Sequence, residues 1–176
     1  MRLSLPPAAH GAFARCAIHV ALATCLTGAA LPAMAVSGGG KDFSGTSIEG
    51  QDFSGQKLTG KEFRGSRAAG ALFKGTKLQS TSFFQADLSK AVFEAADLTG
   101  ASLEEAGLDG GIFKDAVLVN SYLSRTILDA DDLANVDFSD AVMPEKTLKG
   151  LCARADVKGV NPTTKVETRE SLMCPD

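Results

Sequence analysis

The sequence predicts an all-β solenoid, and three observations carry that prediction. Apolar residues recur at every fifth position from Phe43 to Met143, small residues recur two positions ahead of them from Ala71 to Thr126, and no insertion breaks the register. All 21 core positions are apolar, and 18 of them are Leu or Phe. At 44% apolar residues, an unbroken run of that length arises by chance with a probability on the order of 10⁻⁸. Period five matches neither the 3.6 of a helix nor the 2 of a strand. A chain that buries every fifth residue must turn a corner about every five residues, and stacking such corners builds a β-helical rod.

Composition agrees with that reading. The 176 residues suit one domain, and 22% are charged, as in an ordinary globular protein. Aromatics are few at 6%, with no Trp and only Tyr122, which disfavours a conventional aromatic core. Leu and Phe are nonetheless plentiful and evenly spread, which disfavours disorder.

Residues 1–35 are predicted to be a cleavable targeting segment rather than part of the fold. Arg2 and Arg15 are its only charges, an apolar Ala-rich stretch runs from about Cys16 to Leu31, and Ala33-Met34-Ala35 has the small-x-small form of a signal-peptidase site. The stretch is too short and interrupted for a membrane span, and no twin-arginine pair is present, so a Sec-type route is the simpler expectation. Processing would leave no stable membrane anchor. It would also leave 16 basic and 21 acidic residues, a net charge of −5, and remove His10, His19, Cys16 and Cys25. The mature chain then has no histidine.

Within residues 36–145 each quintet supplies one large and one small inward residue, and the other three face water. The small series is Ala71, Thr76, Thr81, Ala86, Ala91, Ala96, Ala101, Ala106, Gly111, Ala116, Ser121 and Thr126, with Lys41, Gln51, Gln56, Lys61 and Asp131 outside the rule. Turn chemistry changes along the array. Gly ends seven successive quintets, from Gly45 to Gly75, whereas later quintets mostly end in residues such as Ser80, Gln85, Lys90 or Ala95. Gly suits the φ > 0 position of a type II turn, so two turn types along one rod are expected.

The period ends after Met143-Pro144, and residues 146–176 are predicted to cap the rod, because a solenoid end exposes core and unpaired edges. Lys146–Cys152 can form a short helix, and Thr168 and Ser171 are candidate helix starts. Cys152 and Cys174 are the only mature cysteines, and in an exported chain they most simply form one disulfide. Such a loop is worth about 3 kcal/mol of unfolded-state entropy. A redox-regulatory role is the alternative reading of the same pair, and no C-x-x-C motif is present.

Stretches such as Ala86-Asp87-Leu88-Ser89-Lys90 and Ala96-Asp97-Leu98-Thr99-Gly100 resemble the A-(D/N)-L-x-x unit of the pentapeptide-repeat family, and the resemblance covers about 60% of the chain. It implies a right-handed quadrilateral β-helix with four quintets per coil, so about five coils. Residues i and i+20 should then stack, with Phe53, Phe73, Phe93, Phe113 and Leu133 in one column and Leu58, Leu78, Leu98, Leu118 and Phe138 in the opposite one. A third column, Ile48, Ala68, Leu88, Leu108 and Leu128, has a weak spot at Ala68. The tail segments Leu151–Ala155, Gly159–Thr164 and Thr168–Cys174 resemble the C-terminal module of the thylakoid lumenal members of the family. That implies a short α-helical cap closed by a disulfide, and an address in the thylakoid lumen, plastid or cyanobacterial. A bacterial periplasmic or secreted location is the alternative.

Function must lie on the exterior. Without histidine there is no common general base, zinc site or Ser-His-Asp triad, and no phosphate loop or dinucleotide fingerprint appears. Asp131 and Asp132 are the most concentrated acidic pair and read as solvated repeat positions. No catalytic residue, metal or cofactor is therefore expected. Residues 91–145 carry 12 acids and 2 bases, net −10, against +3 for 36–90 and +2 for 146–176. An acidic half-rod is compatible with an acidic DNA mimic that binds a topoisomerase or another basic partner, although an exported protein does not meet that enzyme. No binding of nucleic acid itself is expected. The third class is protein–protein interaction. Leu72, Val92 and Ile112 precede core residues, lie twenty apart and should stack as an outward apolar ridge. This is a candidate site for an unknown protein partner, such as a component of a lumenal or photosynthetic complex, or for self-association. Val117, Val119 and Tyr122 lie a face away or round the corner, and Phe84 is outside the core register.

Overall fold

A computed structural model describes residues 42–175. The predicted targeting segment 1–35 lies outside the described residues, and so does Lys41.

The described chain is a solenoid. The residue just before each core residue pairs in parallel with the residue twenty further on, from Ser47 with Arg67 to Tyr122 with Val142. Each contact is a single-residue bridge rather than a long strand, because every quintet spends its remaining residues on a corner. Two bonds per quintet run up the rod: Phe43 N–H donates to Glu62 O at 2.8 Å, and Gly45 N–H donates to Arg64 O at 2.8 Å. One bond runs down, from Arg67 N–H to Thr46 O at 2.9 Å. A fourth closes the corner, from Thr46 N–H to Phe43 O at 3.1 Å. With this scheme repeated, the backbone satisfies itself coil by coil.

The interior is two facing columns of Phe. Phe53, Phe73, Phe93 and Phe113 stack with ring centroids 4.9 to 5.2 Å apart. Phe43, Phe63 and Phe83 form a second stack at 4.7 and 4.8 Å. Rings of the two columns meet edge to face, as for Phe63 and Phe73 at 5.9 Å, the arrangement that aromatic quadrupoles favour. The column that faces Phe53 is thus ten residues away, not the Leu58 column five residues away that the sequence reading placed there. Five residues advance the chain by one side, and ten carry it across the core.

Small residues make room for these rings, and where they are hydroxylated they bond locally. Thr81 Oγ1 and Ser121 Oγ donate to the carbonyls three residues back, Leu78 O and Leu118 O, at 2.7 Å. Asp ahead of the core residue serves the corner: Asp52, Asp87, Asp97 and Asp137 each accept the N–H two residues on, at 2.8 to 3.1 Å. The repeat's preference for Asp therefore has a structural cause.

The corners do not divide into two classes by the sign of φ. Gly45 to Gly75 have φ between 59° and 69°, and Ser80, Gln85, Lys90 and Ala95 have φ between 54° and 58°. The backbone keeps its left-handed residue whether or not glycine supplies it, and each non-glycine corner carries a cost of about 1 kcal/mol. Closing the quintet imposes the conformation, so the expected change of turn type does not extend to this residue.

The register has one break. Arg125–Asp129 forms a 3₁₀ turn, and Ile127, not Leu128, is fully buried in the core. Leu128 leaves the third column and packs on the cap, so closely that a Cβ on Gly150 would lie 2.8 Å from its Cδ1. The Gly107–residue 127 bridge is missing from an otherwise regular ladder, and the spacing resumes with Ile112 and Asp132. A period-five count cannot detect this, because the broken quintet still has five residues and still carries Leu in the expected place. Ala68 is fully buried in the same column.

The cap comprises α1, Glu145–Ala153, and α2, Thr168–Ser171. Cys152 and Cys174 are disulfide-bonded between the end of α1 and the segment after α2. Intervening residues cover the last coil. Asp156 Oδ2 accepts Leu133 N–H at 3.1 Å, Lys158 O accepts Asn135 N–H at 3.0 Å, and Ser171 Oγ accepts Phe138 N–H at 3.0 Å. In every other coil those N–H groups would bond to the next coil.

Candidate interaction surface

The ladder brings Leu72, Val92 and Ile112 together on one face, bridged 72 to 92 and 92 to 112, with Asp52 below and Asp132 above. All three are half-buried. Beside them runs a charged column, in which Lys74 Nζ lies 2.9 Å from Glu94. The hydrogen bond and charge of Lys74 hold the Glu94 carboxyl below its ordinary range. The face is therefore a low apolar ridge with a charged margin.

Other apolar residues from the sequence reading fall elsewhere. Val117 is buried, Val119 is half-buried, and the Phe84 ring lies under the Arg64 guanidinium at 5.1 Å. Tyr122 and Val142 stack on each other and are the more open pair, 47% and 57% exposed. Sequence reasoning placed Tyr122 correctly off the ridge but gave Val142 no role.

Electrostatics at the acidic end centre on Arg154, which no local pattern signalled. Its guanidinium bonds both Asp156 oxygens at 2.7 and 2.9 Å and donates to Leu128 O and Ala130 O at 2.8 Å. Those carbonyls flank the broken corner. The Asp156 bond, followed by the charges of Asp156, Asp131 and Asp132, raises the Arg154 pKa, and Arg154 holds Asp156 below its ordinary range. Asp131 and Asp132 do not form a paired acid–base site: Asp132 Oδ1 accepts Ala134 N–H at 2.9 Å, and both carboxylates stand in the field of Arg154. Among the described residues no group of three or more His, Cys, Asp or Glu is placed to hold a metal ion. Nor is any helix among them long and apolar enough to cross a membrane.

Asn161 is the second residue that the sequence reading missed. Its buried amide donates to Ala116 O at 2.9 Å and Asn135 O at 2.8 Å, and its Oδ1 accepts Thr163 and Thr164 N–H at 2.9 and 3.1 Å. Gly159, at φ 99°, passes so close to Asn135 that no Cβ would fit. Gly159 and Asn161 stand in the tail resemblance, but only the folded contacts show what they do.

Residues 76–115 match the family model described as pentapeptide repeats, in eight copies. The chain is similar to a pentapeptide repeat protein from the Arabidopsis thaliana thylakoid lumen, at 33% identity and a TM-score of 0.69, over 76% of this chain and 92% of that one. It also resembles a pentapeptide repeat protein from Nostoc, at 23% identity and a TM-score of 0.52, over 58% of this chain and 84% of that one, a likeness of fold. No curated protein matches it by sequence.

Proposed function

Because the chain belongs to the pentapeptide-repeat family, we propose that it is a non-catalytic scaffold or protein-interaction module of the thylakoid lumen. In this reading the twenty-residue ladder winds as a right-handed, four-sided coil of about five turns. The disulfide-closed cap seals its C-terminal end, and residues 1–35 direct export and are removed. Similarity to a lumenal protein over 92% of that protein's length supports the address. The observation that carries the interaction reading is the Leu72–Val92–Ile112 ladder, three outward apolar side chains held in register on one face. A rigid solenoid presents such a row without ordering cost on binding. Its partner is a protein, such as a component of a lumenal or photosynthetic complex.

The test is Leu72→Asp with Ile112→Asp. Both side chains are half-buried and outside the Phe columns, so circular dichroism should stay native while cross-linked partners disappear from a lumenal extract. Unchanged capture rejects the ridge. The net −10 of residues 91–145 favours a second reading, an acidic regulator of a basic partner such as a topoisomerase. Capture of a DNA-binding enzyme that survives the double substitution and is lost in high salt would favour it.

A further inference from the structure

The broken quintet is a slip of one residue, and the slip has a cost. By the period, Leu128 holds a large inward position and Asp131 the next small one. In the structure Ile127 and Ala130 fill those places, 0% and 3% exposed, while Leu128 is half-buried and Asp131 is exposed. Leu123 and Leu133 stay in the core on either side. One coil below, Leu88 N–H donates to Gly107 O, Gln85 N–H to Glu104 O and Gly107 N–H to Ala86 O. The equivalent groups at the slip, Leu108 N–H, Glu105 N–H and Ala106 O, have no partner among the described residues. Leu108 and Ala106 are nonetheless buried, a state that backbone groups seldom keep without a compensating cause.

Asp131 supplies the cause. The inward column that it would join is Ala71, Ala91 and Gly111, all buried. A carboxylate there would be an unpaired charge in the core, which costs more than the backbone bonds would return. Its neighbour Ala130 is small and neutral, and the slip exchanges the two. The same slip prepares a seat for the cap. A regular corner closes as Gly111 N–H does on Leu108 O, at 2.9 Å, and residue 131 would close on Leu128 O in the same way. Instead Asp131 N–H turns to Gly111 O at 2.8 Å. Leu128 O is then open to Arg154, which donates to it at 2.8 Å, and the Leu128 side chain finds its place against α1 at Gly150.

We propose that residues 125–131 are a two-register element: the side chain at 131 chooses the register, and the register decides whether the cap docks. In the slipped register Leu128 O faces Arg154 and the cap is latched. In the regular register Leu128 enters the core, its carbonyl closes the corner, and Arg154 loses that acceptor. Register and docking are therefore two coupled equilibria. Both registers use the same number of residues between Leu123 and Leu133, so the Leu72–Val92–Ile112 row is the same in either. The element is thus independent of the interaction reading.

The test uses the disulfide-intact protein and NMR. Nuclear Overhauser contacts to the Leu108 side chain report the register, and amide exchange is followed at Leu108 and Leu133. Asp131→Ala should replace the Ile127–Leu108 contact by Leu128–Leu108. Leu108 N–H should then exchange about tenfold more slowly, having gained Ile127 O, and Leu133 N–H, which donates to the cap residue Asp156, about tenfold faster. The opposite signs matter, because a substitution that only weakened the fold would speed both. Asp131 is exposed, so its replacement removes no core packing. Asp131→Glu keeps the charge and should leave every readout native. Asp132→Ala removes a neighbouring charge from the field of Arg154 and should leave Ile127 on Leu108. Arg154→Gln should speed exchange at Leu133 and also leave Ile127 on Leu108, since the charge at 131 sets the register. Retention of the Ile127–Leu108 contact in Asp131→Ala, or arrival of Leu128 at Leu108 in Arg154→Gln, overturns the proposal.

Discussion

The rod and its cap are held by opposite strategies. Between Phe43 and Leu103 quintet after quintet repeats the same bonds, so each contact is one of a series: Phe93 stacks on Phe73 and Phe113 and meets Phe83 edge to face. The cap repeats nothing. Arg154, Asp156, Asn161 and Ser171 each make a bond that no other residue makes, and each answers a specific edge group of the last coil. Redundant contacts make the rod tolerant of sequence drift at any one exterior position. Singular contacts make the cap vulnerable at a few residues that no periodicity reveals.

The contrast can be broken most directly in the core. Phe93→Ala should cost about 4 kcal/mol, because the ring is fully buried and its neighbours cannot collapse without losing their own stacking. Urea unfolding followed by circular dichroism should show the whole transition moving. Asn161→Ala should cost about 2 kcal/mol by leaving the carbonyls of Ala116 and Asn135 short of a donor. Its signature should be local: hydrogen exchange should speed up at Leu133, Asn135 and Phe138, with the Phe columns still protected.

Acid should separate the two regions in the same way. Asp156 has a folded pKa below its unfolded value, because it bonds to Arg154. Its contribution is therefore complete above an unfolded value of about 3.9 and is lost as pH falls through the lower folded value. Leu133 N–H, which donates to that carboxylate, should lose protection in this acid range before the rod amides do, and Asp156→Asn should abolish the pH dependence. The smallest effect concerns corners. Ala95→Gly should stabilise by up to about 1 kcal/mol, since φ is 55° there, and Gly55→Ala, at φ 69°, should destabilise by about as much. Both are read as midpoint shifts in the same urea titration.

The rod's plan was legible because burial every fifth residue is recorded in residue type. Phe at 53, 73, 93 and 113 states its own stacking once the repeat of twenty is assumed. The second Phe column was equally present in the sequence, and it was missed because the adjacent side, five residues on, was taken for the opposite one. What residue type could not record was geometry that depends on the next layer. Leu128 looks like a core residue and turns outward because α1 approaches it at Gly150. Ser80 and Ala95 show no sign of a left-handed backbone until the corner closes. The ridge was placed by register alone, and its half-buried state follows from flanking side chains that register does not describe.

The twenty-residue ladder also restricts how such a gene can change length. Loss of residues 96–100 would remove one quintet without harming any corner, yet every later residue would advance by one side. Ile112 would then stand above Asp87, in the place of Gly107, rather than above Val92. A deletion that spares every corner would still dismantle the surface row and take Phe113 off the Phe93 column, whereas duplication of a full twenty-residue block would lengthen both. Insertions and deletions at this locus are thus graded by their remainder on division by twenty.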